Sequence, residues 1–451
     1  LPEAPPVDVV PTAYEPNDSE PGAQELIAAR PAFTADALDG LLFEGVALAA
    51  VAQAHGTPVW VMGSASLRAR LARLRRALPE AAIHYAVKAN DQLAVLRLLA
   101  DEGAGADVVS IGECRRALLA GVPAERIVMS GVGKTGAELA AALAADIGQI
   151  NVESEEELFE LAALAAGSGR RARVAIRVNP DVAAGTLDGI STGRAGDKFG
   201  VPIGDVAGLY AAAQAMAGIE MVGLAVHIGS QIQRMAPFAA AYGRIAGLVR
   251  SLRACGLAVE VVDCGGGLGI PYADELAIPP EAWAGCIRAA FGSLGVRLAI
   301  EPGRWLAGPA GVLLASVVRV RGAGMVRPVV ILDAAMNDLV RPAMYGAFHA
   351  ILPVSAAGLM AAPERMPEYV DVAGPVCESS DMFARGRLLA PMRAGDTVAI
   401  LDSGAYGSVM SSTYNARPLV AGVMTDRAAP GGFVLTRRRA GVESLWAGEM
   451  A

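Results

Sequence analysis

Ile83-His84-Tyr85-Ala86-Val87-Lys88-Ala89-Asn90 reads as a short strand whose last residues turn polar, with a helix-forming run from Gln92 to Ala100 behind it. A lysine at the C-terminal end of an apolar strand has two readings. It marks the point where the chain surfaces, or it is an amine in a semi-enclosed pocket, desolvated so that its pKa falls and it can form a Schiff base with an aldehyde cofactor. The rest of the chain decides between them.

Outward from this stretch the same texture repeats. Strand-like runs fall at 83–90, 105–110, 127–131, 149–154, 172–180, 221–230, 258–266 and 297–304, and nearly every gap holds an Ala/Leu-rich helical pattern. Eight βα units in series predict a (β/α)8 TIM-type barrel rather than an open doubly wound sheet. Ser154-Glu155-Glu156-Glu157 supplies a cap and acids at a helix start. The apolar stretch from Val206 to Val226, broken by Gln214 and Glu220, predicts a helix followed by a strand.

A barrel carries its chemistry where the strands end at the C-terminal face. Polar residues fall there in every run: Lys88; Asp107 and Ser110; Ser130; Asn151 and Glu153; Arg177 and Asn179; His227 and Ser230; Asp263 with Gly265, Gly266 and Gly267; Glu301 and Arg304. One such residue is noise, whereas eight strands delivering them to one rim predict a site.

The flanking segments differ. Residues 1–32 are rich in Pro, Glu and Ala without a sustained apolar period, which predicts a flexible extension. Short β segments follow over 33–62, ending in Thr57-Pro58-Val59-Trp60-Val61-Met62, before a helical run from Ser64 to Leu78. After Arg304 the texture becomes all-β, with runs at Val312–Val320, Val329–Asp333, Tyr369–Val372, Thr397–Leu401 and Gly432–Thr436. The expected organisation is a barrel over 63–310 inserted between two parts of an all-β domain, 33–62 and 311–451, built as a sandwich or Greek-key barrel.

Composition narrows the function classes. The chain has 451 residues, 53% hydrophobic and 19% charged, with a net charge of −8. That balance offers no electrostatic footprint for nucleic acid or an anionic membrane surface. No apolar run approaches the roughly 18–20 residues that span a bilayer, and no basic region precedes an apolar one near the start, so no signal peptide is expected. The five cysteines are odd in number and form no Cys-x-x-Cys pair, and none of the four histidines is paired at metal spacing. A reducing cytoplasm and a metal-free site are therefore the expectation.

Single motifs carry alternatives. Gly265-Gly266-Gly267-Leu268-Gly269 is a tight turn or an anion cradle, and its place after the seventh strand favours phosphate. It is not the dinucleotide pattern. His227, in His227-Ile228-Gly229-Ser230-Gln231, is a satisfied core histidine or a ring that stacks on a planar cofactor. Glu301, in Glu301-Pro302-Gly303-Arg304, closes a surface turn or faces a pyridine nitrogen and favours its protonated form. Arg304 and Arg341 suit carboxylate clamping. Cys377 is a small buried hydrophobe or, given its company of Glu378, Ser379, Ser380 and Asp381, an exposed working thiol. Tyr406 sits in a glycine-flanked loop, Gly404-Ala405-Tyr406-Gly407, from which a phenol could reach phosphate or substrate.

Taken together, Tyr85-Ala86-Val87-Lys88-Ala89-Asn90, His227-Ile228-Gly229-Ser230-Gln231, the 265–269 glycines, Glu301-Pro302-Gly303-Arg304, Cys377-Glu378 and Gly404-Ala405-Tyr406-Gly407 resemble the diaminopimelate decarboxylases, fold-type III pyridoxal-phosphate enzymes. The resemblance spans about residues 34–425. It implies pyridoxal 5'-phosphate as cofactor, with Lys88 as the Schiff-base lysine and His227 stacked on the ring. Ser230 and Gly265–Gly267 would cradle the phosphate with Gly303, Arg304 and Tyr406 nearby, and Glu301 would face the ring nitrogen. Arg304, Arg341, Tyr345, Tyr406 and Glu378 would contact substrate, and Cys377 would return a proton to Cα. The family supplies Cys377 and Glu378 across a homodimer interface. Two segments depart from its pattern: 186–193 lacks a histidine after Thr186, and Ile111-Gly112-Glu113 replaces a double glycine before the glutamate.

The implied activity is decarboxylation of meso-2,6-diaminopimelate to L-lysine and CO2, the last step of lysine biosynthesis. Rival readings are a decarboxylase of another basic amino acid or a carboxylated polyamine on the same fold, and a non-catalytic pyridoxal-phosphate-binding regulator. Ornithine enzymes typically carry Asp after the cysteine, and a racemase would place arginine at the ring nitrogen. Glu378 and Glu301 oppose both.

Overall fold

The structure is a computed structural model describing residues 21–185, 192–194, 196–273, 275–322, 327–359 and 367–450. These form two compact units. One comprises Ser64–Pro271 and Glu275–Gly308; the other comprises the described residues up to Gly63, Tyr272 and Ala273, and those from Pro309 onward.

The first unit is a closed parallel barrel. Its strands are β1 (Ala81–Ala86), β2 (Gly105–Val108), β3 (Ile127–Met129), β4 (Gln149–Val152), β5 (Ala172–Asn179), β6 (Ile219–Ala225), β7 (Val261–Asp263) and β8 (Arg297–Ile300). Each pairs with the next, and β8 closes on β1 through Leu298↔Ala81 and Ile300↔Ile83. A two-residue strand, Val201–Pro202, extends the sheet beside the end of β5. β2 and β4 are buried along their whole length and carry no alternation, because barrel strands face side chains within and helices without.

Local chemistry sets the helix boundaries. Ser154 accepts a 3.2 Å hydrogen bond from Glu157 N at the start of Glu155–Ser168, which ends on Gly169 in the left-handed region. Thr135 and Glu138 form a reciprocal capping box at the start of Gly136–Ala144. Val206–Gln214 is a helix and Ile219–Ala225 a strand, dividing the apolar stretch at its polar interruptions.

The second unit is built on a nine-stranded sheet whose hub is the long strand Gly311–Arg321. This strand pairs with Val59–Met62, Val329–Leu332 and Thr397–Ile400. Alternation explains why its members read as unbroken apolar runs. Val59, Val61, Val312, Leu314 and Ala399 enter one hydrophobic cluster, whereas Trp60, Leu313, Ala315, Val398 and Ile400 enter another. At these central strands both faces of the sheet are buried.

Three features differ from the sequence-based expectation. Leu48–His55, inside the stretch expected to be β, is a helix. Ile351–Pro353, Met382–Leu389 and Ala421–Thr425 are additional strands. The expected flexible segment does not extend to residue 32, because Ala23–Ala28 is helical with Leu26 and Ile27 buried in a core cluster. Arg30 is anchored as well, donating from Nε to Asp402 Oδ2 at 2.7 Å. Residues 1–20, and most of the departing segment 186–193, lie outside the described residues.

Candidate active site

At the C-terminal rim of the barrel, β1 runs into a tight turn, Val87–Ala89, that carries Lys88. Ala86 N donates to Pro302 O at 3.2 Å, and a Cβ on Gly303 would come within 3.0 Å of the Ala89 methyl and 3.1 Å of the Ala86 methyl. Glu301-Pro302-Gly303-Arg304 is therefore the surface against which the Lys88 turn packs. Small residues on both sides permit that approach.

Lys88 Nζ donates to Asp107 Oδ2 at 2.6 Å. Asp107, on β2, is fully buried. Burial works to raise its pKa, but the Lys88 charge and hydrogen bond, helped by Ser130 and His227, outweigh it and hold the carboxyl below its ordinary 3.8.

Two further acids lie in this interior. Burial, then the charges of Asp107 and Asp263, push Glu301 well above the carboxylate range. Burial likewise raises Asp263, partly offset by the charge of His84 and by the N–H of Gly265, which donates to Asp263 Oδ1 at 2.9 Å. Glu301 Oε1 accepts no hydrogen bond among the described residues, while the Glu301 and Asp263 carboxyls share one. A carboxyl kept neutral by burial can receive a ring N–H, and a cation placed there would restore its charge.

His227 follows β6. Burial first, then the charges of Arg177 and Lys88, push it down to about 3. It is thus a neutral ring at physiological pH. Gly266 N donates to its Nδ1 at 3.2 Å, which leaves the proton on Nε2.

The loop after β7 has no room for side chains. Gly265 and Gly267 sit at φ +66° and +98°, and added Cβ atoms at 265, 266 and 267 would collide with the carbonyl oxygens of Val226, Glu301 and Gly229. Ser230 Oγ accepts from Arg304 Nη2 at 3.0 Å. A glycine loop, a hydroxyl and a guanidinium on one rim make a fitting anion cradle. A cavity of about 450 Å³ is lined by Lys88, Ser130, Asn151, Arg177, His227 and Glu301, among others. An amine, a neutral imidazole, a buried neutral carboxyl and an anion cradle are the groups that a phosphorylated pyridine aldehyde requires, so the barrel's residues fit pyridoxal phosphate.

The rim also contains groups to which motif reading assigned no role. Arg177 Nη1 donates to Glu153 Oε1 at 2.9 Å, and Asn151 Nδ2 donates to Ser130 Oγ at 3.1 Å. Glu113, which accepts from Val109 N, is pushed up to about 7, chiefly by burial. Their strand-end or helix-start positions were the only signal available.

In the second unit, Arg341 and Tyr345 share the short helix Arg341–Tyr345, with Arg341 buried and Tyr345 half-buried. Cys377 and Glu378 occupy an exposed loop of their own. Cys377 N donates to Asn415 Oδ1 at 3.0 Å. Glu378 accepts from Ser380 Oγ at 3.1 Å and from Tyr414 OH at 3.3 Å. Asp381 closes the loop by accepting from Val376 N at 2.8 Å and Met336 N at 2.7 Å. Tyr406 has φ +56°, in a loop where Gly407 packs on Trp60. The structure thus gathers Lys88, His227, Ser230, Gly265–Gly267, Glu301, Gly303 and Arg304 at the barrel rim. Arg341, Tyr345, Cys377, Glu378 and Tyr406 belong to the second unit. Among the described residues no group of acids, histidines and cysteines could hold a metal ion, and no helix is long and apolar enough to cross a membrane.

Residues 64–308 match the family described as pyridoxal-dependent decarboxylase, pyridoxal binding domain. The diaminopimelate decarboxylase of Zymomonas mobilis subsp. mobilis is 44% identical over 412 residues, covering 90% of this chain and 95% of that protein. The barrel and sheet also resemble solved structures. The diaminopimelate decarboxylase of Helicobacter pylori in complex with L-lysine has a TM-score of 0.82 and 37% identity, covering 88% of this chain and 98% of that one. The M. jannaschii diaminopimelate decarboxylase, also with L-lysine, has a TM-score of 0.86 and 35% identity, covering 94% and 98%.

Proposed function

Because the chain belongs to the diaminopimelate decarboxylase family, we propose that its barrel rim and second-unit residues share out the work of one decarboxylation as follows. The protein is a pyridoxal-phosphate-dependent carboxy-lyase that converts meso-2,6-diaminopimelate to L-lysine and CO2. When bound, pyridoxal phosphate supplies the electron sink for the pair left at Cα as CO2 departs.

Lys88 Nζ is the covalent point of attachment, and Asp107 holds that amine at the rim. His227 presents a neutral ring face. Ser230, the 265–267 glycines, Gly303, Arg304 and Tyr406 hold phosphate. Glu301 faces the ring nitrogen and keeps its proton in place. Arg304, Arg341, Tyr345, Tyr406 and Glu378 grip the substrate's remaining amine and carboxylates, and Cys377 Sγ returns a proton to Cα.

The observation that carries this reading is the pairing of Lys88 with Asp107 at 2.6 Å on the same rim as a buried Glu301 whose carboxyl is pushed well above the carboxylate range. A structural ion pair alone gives no reason for a second carboxyl, held neutral by burial, beside it. For Cys377 and Glu378 we propose delivery to the barrel of a second copy in a homodimer. Their exposed loop, tied down by Asp381, Tyr414 and Asn415, supports this placement.

Measuring CO2 release from meso-diaminopimelate, ornithine, arginine and lysine tests the assignment. Release from meso-diaminopimelate alone is expected. Preferential turnover of another substrate would move the chain to a different specificity on this fold. No release from any of them would favour a pyridoxal-phosphate-binding regulator.

A further inference from the structure

Arg341 is held by two aromatic neighbours. Its Nη1 lies 2.7 Å from His349 Nε2, and its guanidinium carbon lies 4.6 Å from the centre of the Tyr272 ring. His349 Nδ1 lies 2.8 Å from Leu401 O, and the imidazole meets Tyr272 edge-on at 5.2 Å. All three side chains are buried, His349 to 2% exposure.

These contacts settle the imidazole's protons. A guanidinium has only donors, so Nε2 must accept; a carbonyl oxygen only accepts, so Nδ1 must donate. An imidazolium would set N–H against N–H. His349 is therefore a neutral ring in one tautomer, locked at both nitrogens, and its remaining acceptor is spent on Arg341. The scaffold is braced behind it, where Arg30 donates to Tyr272 O at 3.0 Å and to the buried Asp402 at 2.7 Å. A solvent-facing arginine would need none of this.

We propose that His349 is a positioning residue for substrate selection: with Tyr272 it fixes the plane of the Arg341 fork so that Arg341 grips the substrate carboxylate remote from the reacting Cα. This rests on the reading of Arg341 as a carboxylate ligand. Bidentate recognition needs the fork in plane with its partner, and a fork fixed beforehand loses less freedom on binding. The remote carboxylate is unchanged by the reaction, so its grip is equally strong in ground and transition states. Losing it raises KM and leaves kcat in place.

The test combines steady-state kinetics on meso-diaminopimelate with calorimetric binding of L-lysine, which retains the remote carboxylate, and of cadaverine, which lacks it. His349→Asn keeps a donor for Leu401 O and withdraws the acceptor from Arg341. His349→Gln places an amide oxygen near the Nε2 position, and Arg341→Met sets the scale. H349N is expected to raise KM and weaken L-lysine binding about 10- to 100-fold, with kcat and cadaverine binding within about threefold of the unaltered enzyme. H349Q is expected to recover most of the loss.

If R341M loses L-lysine binding while H349N keeps it, the positioning role is overturned and the reading of Arg341 stands. If R341M binds L-lysine as the unaltered enzyme does, that reading falls and takes the proposal with it. Equal losses of kcat, L-lysine and cadaverine binding in H349N would assign His349 a merely structural role. His349→Phe, which fills the ring's volume without either nitrogen, carries the same expectation and the same overturning results, so the test does not depend on one variant folding.

Discussion

Lys88 and Asp107 form a lopsided pair: the ammonium side chain is 34% exposed and the carboxylate 2.6 Å away is completely buried. Lys88 is the chief influence that keeps Asp107 ionised against its burial. Lys88→Ala is expected to abolish the visible absorbance of the lysine-bound cofactor and to lower CO2 release by about 1000-fold or more. An unchanged cofactor spectrum would sink the assignment of Lys88.

The same pair sets a pH signature in the cofactor-free protein. With its folded pKa below the ordinary 3.8, Asp107 contributes stability above the unfolded carboxyl's pKa, and that contribution is lost as pH falls through the folded value. In K88A burial acts without its main opponent and the folded pKa rises above the unfolded one. The variant should therefore lose stability as pH rises from about 4 toward neutrality. Thermal unfolding of both proteins across that range reads the reversal, and parallel Tm profiles would contradict it.

Glu301 should behave oppositely with and without cofactor. Its folded pKa is raised, so its contribution is full below the unfolded value near 4.5 and is lost as pH rises toward the folded value. Glu301→Gln replaces a neutral carboxyl with a neutral amide. The cofactor-free variant should keep its stability within about 1 kcal/mol at neutral pH and flatten the decline of Tm with rising pH. With cofactor bound, kcat should fall about 100- to 10,000-fold, because the ring nitrogen loses its counter-charge. A variant with near-normal kcat would remove Glu301 from the site.

Gly266→Ala would drive a methyl into the carbonyl oxygen of Glu301, a backbone atom that cannot swing away. We expect a loss of about 1–3 kcal/mol in stability. Cofactor affinity should drop alongside, measured by fluorescence titration of the cofactor-free variant. Gly285→Ala, in a helix with open space around it, is the control and should leave cofactor affinity unchanged.

Asp381→Ala releases the N–H groups of Val376 and Met336, the ties that shape the Cys377–Glu378 loop. Each hydrogen bond to a charged acceptor is worth about 1.5–3 kcal/mol, so the loop should loosen while the barrel stays intact. The expected result is a kcat reduced about 10- to 100-fold with cofactor absorbance unchanged. Cys377→Ala should lower kcat without disturbing cofactor binding, and a C377A enzyme of normal kcat would exclude the thiol as proton donor.

Much of the barrel and its rim could be read in one dimension. A βα period recurs whatever the distant contacts are, and polar residues at strand ends must surface on the same face of a closed barrel. Lys88, Glu301 and the 265–267 glycines stand at such ends, where local pattern and tertiary position coincide. Met382–Leu389 escaped because its buried positions do not alternate. Leu48–His55 escaped because it is a short apolar run, which periodicity alone cannot assign to helix or strand.

The sequence by itself determined the fold class, the family resemblance and the candidate anchor at Lys88, because these depend on spacing along the chain and on residue chemistry. Tertiary structure decided the electrostatics and the supports. Arg30 meets Asp402 across 372 residues, and Tyr414 meets Glu378 across 36. The neutral state of His227, the raised Glu301 and the tautomer of His349 all follow from burial and from neighbours brought together by folding. Desolvation and hydrogen-bond geometry act through space, and no local pattern in the chain records them.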